Sequence, residues 1–248
     1  TMVPTPFLIE RLLATADRQP EAPFLHRPGT SAVRYESLGG QIRYVRERLR
    51  SWSIVPGDIV AGFAPSRALM AMACASLPAS STFAPLGSTL ATDAYVALLR
   101  RMRPRAVLAP PASDHPLRIA AATLGVPAML AVPGDDGRFA LEIEAGIGNA
   151  VEPLARPGHA YVLVTSGTTG RPKLAPLGHR QMLDFADAMI DLLRLGPEDV
   201  GYALAPFHFA GGLRSSILIP SLAGASFVCL QESDVDGFFR AIETFAPT

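Results

Sequence analysis

Thr165-Ser166-Gly167-Thr168-Thr169-Gly170-Arg171-Pro172-Lys173 follows an apolar run, Tyr161 to Val164, and leads into a second extended segment, Lys173 to Leu177. Six consecutive positions, Thr165 to Gly170, are Gly, Ser or Thr. Such small residues let backbone N–H groups close on an anion, and the hydroxyls of Thr165, Ser166, Thr168 and Thr169 add further donors. Arg171 and Lys173 put positive charge at the far end, so strand, loop and cations together suit a polyphosphate. The loop is not a Walker motif, because the position five beyond Gly167 is Pro172 rather than Gly. Gly146-x-Gly148 lacks the third glycine of a dinucleotide fingerprint, and neither His-Glu-x-x-His nor Gly-x-Ser-x-Gly occurs.

Upstream of the loop, helical stripes alternate with short apolar runs. Ile9, Leu12, Leu13 and Ala16 form one stripe, and Leu38, Ile42, Val45, Leu49 and Trp52 another. Strands are expected at Asp58 to Ala64, Thr82 to Leu86, Ala106 to Ala109 and Ala128 to Val132. Helices are expected from Ser66 to Leu77, from an N-cap at Thr92 to Met102, and from His115 to Leu124. An edge strand is expected near Phe139 to Ile143. Downstream, a helix from His179 to Leu195 should turn Met182, Phe185, Met189 and Leu192 inward and Asp184, Asp187 and Asp191 outward. Strand Val200 to Ala205, helix Gly211 to Ile219, strand Ser226 to Leu230 and helix Val235 to Phe245 complete the pattern. Alternation of this kind predicts an α/β fold with a largely parallel sheet.

Composition narrows the function. The 248 residues carry 22 Lys+Arg against 22 Asp+Glu, which argues against a protein built to grip nucleic acid. A hydrophobic content of 49% with 18% charged residues excludes a disordered polyelectrolyte. Cys74 and Cys229 are too few for a disulfide framework or a cysteine-rich metal site; both lie in apolar runs and are expected as buried thiols in a reducing compartment. The uncharged stretch Ala68 to Thr92 contains Pro78, Pro85 and Gly87, which suits a helix, turn and strand better than a membrane span. A soluble, cytoplasmic protein is expected.

Tyr161 to Lys173 resembles the phosphate-binding signature of the adenylate-forming superfamily, which comprises acyl-CoA synthetases, adenylation domains of peptide synthetases, and luciferases. Three further stretches are similar to that family in order and spacing. They are Val33-Arg34-Tyr35-Glu36-Ser37-Leu38 with Val55-Pro56-Gly57-Asp58, then Thr82-Phe83-Ala84-Pro85-Leu86, then Ala205-Pro206-Phe207-His208-Phe209-Ala210-Gly211-Gly212-Leu213. The resemblance implies an acyl-adenylate formed from a carboxylic acid and ATP, then displacement of AMP by the thiol of coenzyme A or of a carrier phosphopantetheine. It implies that Thr165, Ser166, Gly167, Thr168, Thr169 and Gly170 wrap the β- and γ-phosphates and that Lys173 adds charge. It places His208 as the catalytic residue between the α-phosphate and the acid, with Phe207, Phe209 and Gly212 shaping the acid pocket. Mg²⁺ is implied as well, its main ligand beyond this sequence; no metal-ligating residue is assigned here. His26, His115, His159 and His179, and the Arg43/Arg46/Arg50 row, are taken as structural or solvent-facing.

Amino-acid-activating members place an Asp in the pocket segment to pair with the substrate ammonium, whereas Phe207-His208-Phe209-Ala210 has no carboxylate. An ammonium buried there would lack a partner, which favours a non-amino acid, with fatty, short or dicarboxylic acids as the nearest likeness. Leu174 stands where Gly is frequent in the family. The family's later segments, including a Tyr-Gly-x-Thr-Glu stretch, a ribose-binding Asp and a C-terminal catalytic Lys, do not occur. The resemblance therefore covers the N-terminal part only, and this chain alone is expected to adenylate weakly or not at all, needing a C-terminal half in cis or in trans. Two packed α/β subdomains are expected, one over about 65–195, the other from about 1–64 plus 200–248 and incomplete. Two alternatives to an acyl-CoA synthetase stay open: a megasynthase adenylation domain that loads an acyl carrier protein, and a truncated nucleotide- or partner-binding domain without chemistry.

Overall fold

The computed structural model describes residues 7–144, 154–165, 172–231 and 235–248. Its strands are β1 (Pro23–His26), β2 (Val33–Arg34), β3 (Ile59–Gly62), β4 (Thr82–Pro85), β5 (Ala106–Ala109), β6 (Ala128–Pro133), β7 (Phe139–Ile143), β8 (His159–Thr165), β9 (Lys173–Gly178), β10 (Val200–Tyr202) and β11 (Ser226–Val228). Its helices are α1 (Phe7–Arg18), α2 (Tyr35–Ser51), α3 (Arg67–Ser76), α4 (Thr92–Met102), α5 (Pro116–Thr123), α6 (His179–Leu193), α7 (Ala210–Leu213), α8 (Ile219–Ala223) and α9 (Val235–Phe245).

The fold is α/β, with two sheets among the described residues. The larger runs β7-β6-β5-β3-β4-β8-β9, parallel except at the two edge strands β7 and β9. The smaller runs β10-β11-β1-β2, with β2 antiparallel. Every residue of β3, β4 and β5 is buried, as strands covered by helices on both faces must be. A split near Pro65 would assign β3 to the smaller sheet. Its pairing with β4 and β5 instead makes it a central strand of the larger one.

The stripe Leu38, Ile42, Val45 and Leu49 is fully buried, and Gln41 fixes α2 against β7 by exchanging hydrogen bonds with the Phe139 backbone (3.1 and 3.0 Å). Three expectations need correction. Thr92 is the first residue of α4 rather than its cap; Ala91 holds the cap position without a side-chain bond. The inner face of α6 is His179, Met182, Leu183 and Ala186, while Phe185 and Leu192 are exposed. Apolar residues wrap more than one stripe of that helix, and packing against α1 and α8 selects among them. The helix expected over Gly211–Ile219 is instead α7, a π-helical stretch Arg214–Leu218, and α8. Pro220 has no N–H to continue the α ladder, and the Ser221 hydroxyl bonds the Ile217 carbonyl. Strands β1 and β2 were not anticipated. Tyr35, buried just after β2, ties α2 to the smaller sheet, its hydroxyl 2.6 Å from Ala225 O and 3.2 Å from Ser221 O.

At the end of β3 the chain is held on both sides: Gly62 O accepts from Leu86 N and Leu108 O accepts from Phe63 N, each at 2.9 Å. Gly62 has φ +138°, and a Cβ there would lie 1.9 Å from Leu108 O. Both the backbone angle and the space require glycine. Gly62→Ala should therefore lower unfolding free energy by about 3 kcal/mol or more, measured as a fall in urea midpoint with unchanged slope. A midpoint within error of the parent would contradict this reading.

Candidate active site

The loops that leave the carboxyl ends of the parallel strands converge. β3 connects toward β4, whereas β5 connects toward β6, so the direction of winding reverses beside β3, the usual position of a ligand crevice in such sheets. A cleft of about 490 Å³ opens there. Its walls are Phe63 to Arg67 after β3, Leu86 to Leu90 after β4, Pro206 to His208 after β10, and Gln231 after β11. The larger sheet supplies one side and the smaller sheet the other.

His208 is half-buried and faces Gly87, where a Cβ would lie 3.5 Å from its Nε2. Tyr95 holds the Gly87 loop from below by donating to Gly87 O at 2.5 Å. Burial pushes the Tyr95 phenol up to about 12. Burial also lowers the His208 pKa, which keeps the imidazole neutral at pH 7. Phe207 is buried and lines the cleft. Phe209 does not line it; it is exposed, with its ring centroid 4.2 Å from that of His208. Gly212 does not line the cleft either. A Cβ on it would sit 2.2 Å from Pro206 O, so it lets α7 close on the chain that carries Phe207 and His208.

Arg67 was not anticipated, although it is the only Lys or Arg between Arg50 and Arg100. It stitches the two sheets together. Its guanidinium lies 5.1 Å from the Phe207 ring centre and donates to Ala203 O at 2.7 Å, while its N–H donates to Gln231 Oε1 at 3.3 Å. Beside it, burial pushes the Cys229 thiol pKa up while Arg67 pulls it down. Among the described residues, Arg67 is the one formally charged side chain lining the cleft. Ser66, which caps α3 by accepting from Leu69 N at 3.2 Å, fixes where Arg67 starts.

Thr165 and Lys173 are paired across the β8–β9 hairpin, both exposed, with Thr165 Oγ1 3.5 Å from Lys173 O. Ser166, Gly167, Thr168, Thr169, Gly170 and Arg171 lie outside the described residues. β8 runs parallel to β4, with Phe83 beside Tyr161, so Thr165 at its carboxyl end points to the same sheet edge as the loop after β4. Both ends of the hydroxyl-rich loop therefore leave the sheet on the same edge as the cleft. Among the described residues no three His, Cys, Asp or Glu side chains are grouped to hold a metal ion, and no carboxylate lines the cleft. No helix of the described residues is long and apolar enough to cross a membrane.

The fold is thus a doubly wound α/β sheet with a half-buried histidine in a crevice at the carboxyl ends of its parallel strands. A family model described as "AMP-binding enzyme" matches residues 12–248, and the chain belongs to that family. Curated relatives include the indoleacetate–CoA ligase of Aromatoleum aromaticum, 30% identical over 87% of this chain and 45% of that protein. The salicyl-AMP ligase/salicyl-S-ArCP synthetase of Mycobacterium tuberculosis is 29% identical over 90% of this chain and 41% of its own length. The p-hydroxybenzoic acid–AMP ligase FadD22 of the same species is 46% identical over 31% of this chain and 11% of that protein. The chain thus spans less than half the length of these relatives. ATP-bound MatB from Rhodopseudomonas palustris has the same fold, with a TM-score of 0.79 at 22% identity over 97% of this chain and 48% of that one.

The remaining histidines divide by burial. His115 caps α5, accepting from Leu117 N through Nδ1 at 3.1 Å. His179 is buried at the start of α6, and desolvation, helped by His159, lowers its pKa to about 4. The unfolded chain therefore takes up a proton near pH 6.5 that the folded chain refuses until about pH 4. Stability should fall as pH drops through that window, by up to about 3 kcal/mol. Urea titrations at pH 7 and pH 5 should show this loss in the parent and a smaller one in His179→Gln. An equal loss in both proteins would contradict the assignment.

Proposed function

We propose that this chain is the front portion of an ATP-dependent acid–thiol ligase acting on a non-amino carboxylic acid. The observation that carries this reading is His208, neutral and set against Gly87 in a cleft bounded by both sheets, on the edge from which the Thr165–Lys173 loop leaves. In this reading a carboxylate oxygen attacks the α-phosphorus of ATP and pyrophosphate leaves, giving an acyl-adenylate; a thiol then attacks the acyl carbon and AMP departs. Thr165 to Gly170 and Lys173 hold the β- and γ-phosphates. His208, kept neutral, lies between the acid and the α-phosphate and orients them by hydrogen bonding, so its contribution is chiefly positioning. Phe207 packs the acid side. Arg67 raises the potential of the cleft, and no carboxylate among the described residues lines it, which suits an anionic substrate and disfavours an ammonium.

Several relatives are named for aryl acids: p-hydroxybenzoate, salicylate and indoleacetate. Aryl acids therefore come ahead of fatty, short and dicarboxylic acids in this reading. Coenzyme A and a carrier phosphopantetheine both remain acceptors in it, since relatives are named for each, including a medium/long-chain-fatty-acid–[acyl-carrier-protein] ligase at 28% identity. Mg²⁺ ligands, the ribose clamp and the catalytic lysine are placed in a C-terminal portion, with a cytoplasmic location.

Acid-dependent ATP–pyrophosphate exchange across a panel of aryl, aliphatic and amino acids is the test. With a C-terminal portion present, exchange should depend on an aryl acid, and His208→Ala should lower it by about 100-fold. The 248-residue chain alone should exchange far more slowly. Exchange driven by amino acids, or unaffected in His208→Ala, would overturn the reading.

A further inference from the structure

A second recess, of about 970 Å³, lies away from the cleft. Its lining includes Pro56, Gly57 and Asp58 just before β3, and Leu154 to Pro157 just before β8. Four arginines face it from separate parts of the chain: Arg100 and Arg101 in the last turn of α4, Arg103 at its C-cap, and Arg156 before β8. All four are exposed. The Asp58 carboxylate is already engaged, buried with Arg105 at 3.6 Å and accepting from Val55 N at 3.0 Å.

Elsewhere in the chain some arginines are neutralised by carboxylates, whereas others, such as Arg18, Arg50, Arg194 and Arg240, have no ion pair among the described residues. Arg11, Arg34, Arg43, Arg118, Arg138 and Arg180 each pair with an Asp or Glu. The side chains of Arg100, Arg103 and Arg156 have no hydrogen-bond or ion-pair partner among the described residues, and the Arg101 guanidinium donates only to Pro172 O, at 2.6 Å. In a chain of net charge +0, this is, among the described residues, a local concentration of unpaired positive charge. The C-terminal dipole of α4 favours cations at Arg100 and Arg101. It does not explain Arg156, which reaches the same recess from another segment. Planar guanidinium forks can grip a multiply charged anion bidentately. The volume is that of a small-molecule site rather than a flat docking face.

We propose that this recess binds an oligophosphate anion, at a site separate from the His208 cleft. Its position is independent of the reaction proposed above. The ligand is a free oligophosphate or the phosphate chain of a nucleotide, whose chemistry here is the same. Arg101 also clips the Pro172 carbonyl, at the returning end of the Thr165–Lys173 loop, so the site borders that loop.

The test is a titration of the ¹⁵N-arginine side-chain resonances with inorganic tripolyphosphate at constant ionic strength, repeated with ATP. Saturable shifts are expected at Arg100, Arg101, Arg103 and Arg156. The double variant Arg100→Gln/Arg103→Gln should weaken binding about tenfold or more, and Arg156→Gln, from the separate segment before β8, several-fold. Lys173→Gln, which alters the loop alone, should leave these shifts in place. Shifts with tripolyphosphate but not ATP identify a free oligophosphate; equal shifts identify the phosphate chain of a nucleotide. No shift, a response reproduced by sodium chloride, insensitivity to both arginine variants, or a response only to polyglutamate or duplex DNA would overturn the proposal.

Discussion

The close approach at Gly62 is the constraint on which the rest depends. β3 is buried and is held at its carboxyl end from both sides, through Leu86 N and Leu108 O. Only a residue without a Cβ can stand 1.9 Å (Cβ to oxygen) from a neighbouring carbonyl at φ +138°. Because β3, β4 and β5 end together there, the loops after β3 and β4 start at one level and form a wall. The hydrogen bond from Tyr95 to Gly87 then fixes the height of that wall, and Gly87 leaves room for the His208 ring.

The opposite wall comes from the smaller sheet, which is built from chain segments far apart in sequence: β1 pairs with β11, about two hundred residues later. Arg67 joins the two walls by reaching Ala203 O, the Phe207 face and, through its N–H, Gln231. This cation at the seam ties the Pro206–His208 segment to the larger sheet and, among the described residues, is the one charge lining the cleft. The neutral state of His208 belongs to the same arrangement, because burial that packs Phe207 also desolvates the imidazole.

The strands of the larger sheet were legible because each is a short apolar run bounded by turn residues, and the cleft histidine was legible because it sits in Pro206-Phe207-His208-Phe209 with no competing motif. β1 and β2 were not, since four- and two-residue strands around Arg27-Pro28-Gly29 carry no periodicity and exist only through pairing with a distant segment. The face of α6 failed for a related reason: apolar residues surround it, and tertiary contact alone chooses Met182 and Leu183 over Phe185 and Leu192. Phe209 and Gly212 were read as pocket residues from their place in a motif. The geometry separates three roles within that motif: Phe207 lines the cleft, Phe209 packs on His208, and Gly212 permits a backbone approach. Arg67 left a sequence signal, an isolated cation in a long uncharged stretch, but its target lay more than 130 residues away.

In the proposed reading the two walls and the Ser/Thr/Gly loop form one nucleotide-and-acid site organised around His208. The most direct measurement is a crystal structure with ATP and a slowly reacting aryl acid. The triphosphate should lie between Thr165 and Lys173, with the His208 ring between the α-phosphate and the carboxylate and Gly87 beneath it. A nucleotide bound elsewhere, or an acid on the far side of Phe207 from His208, would contradict the claim.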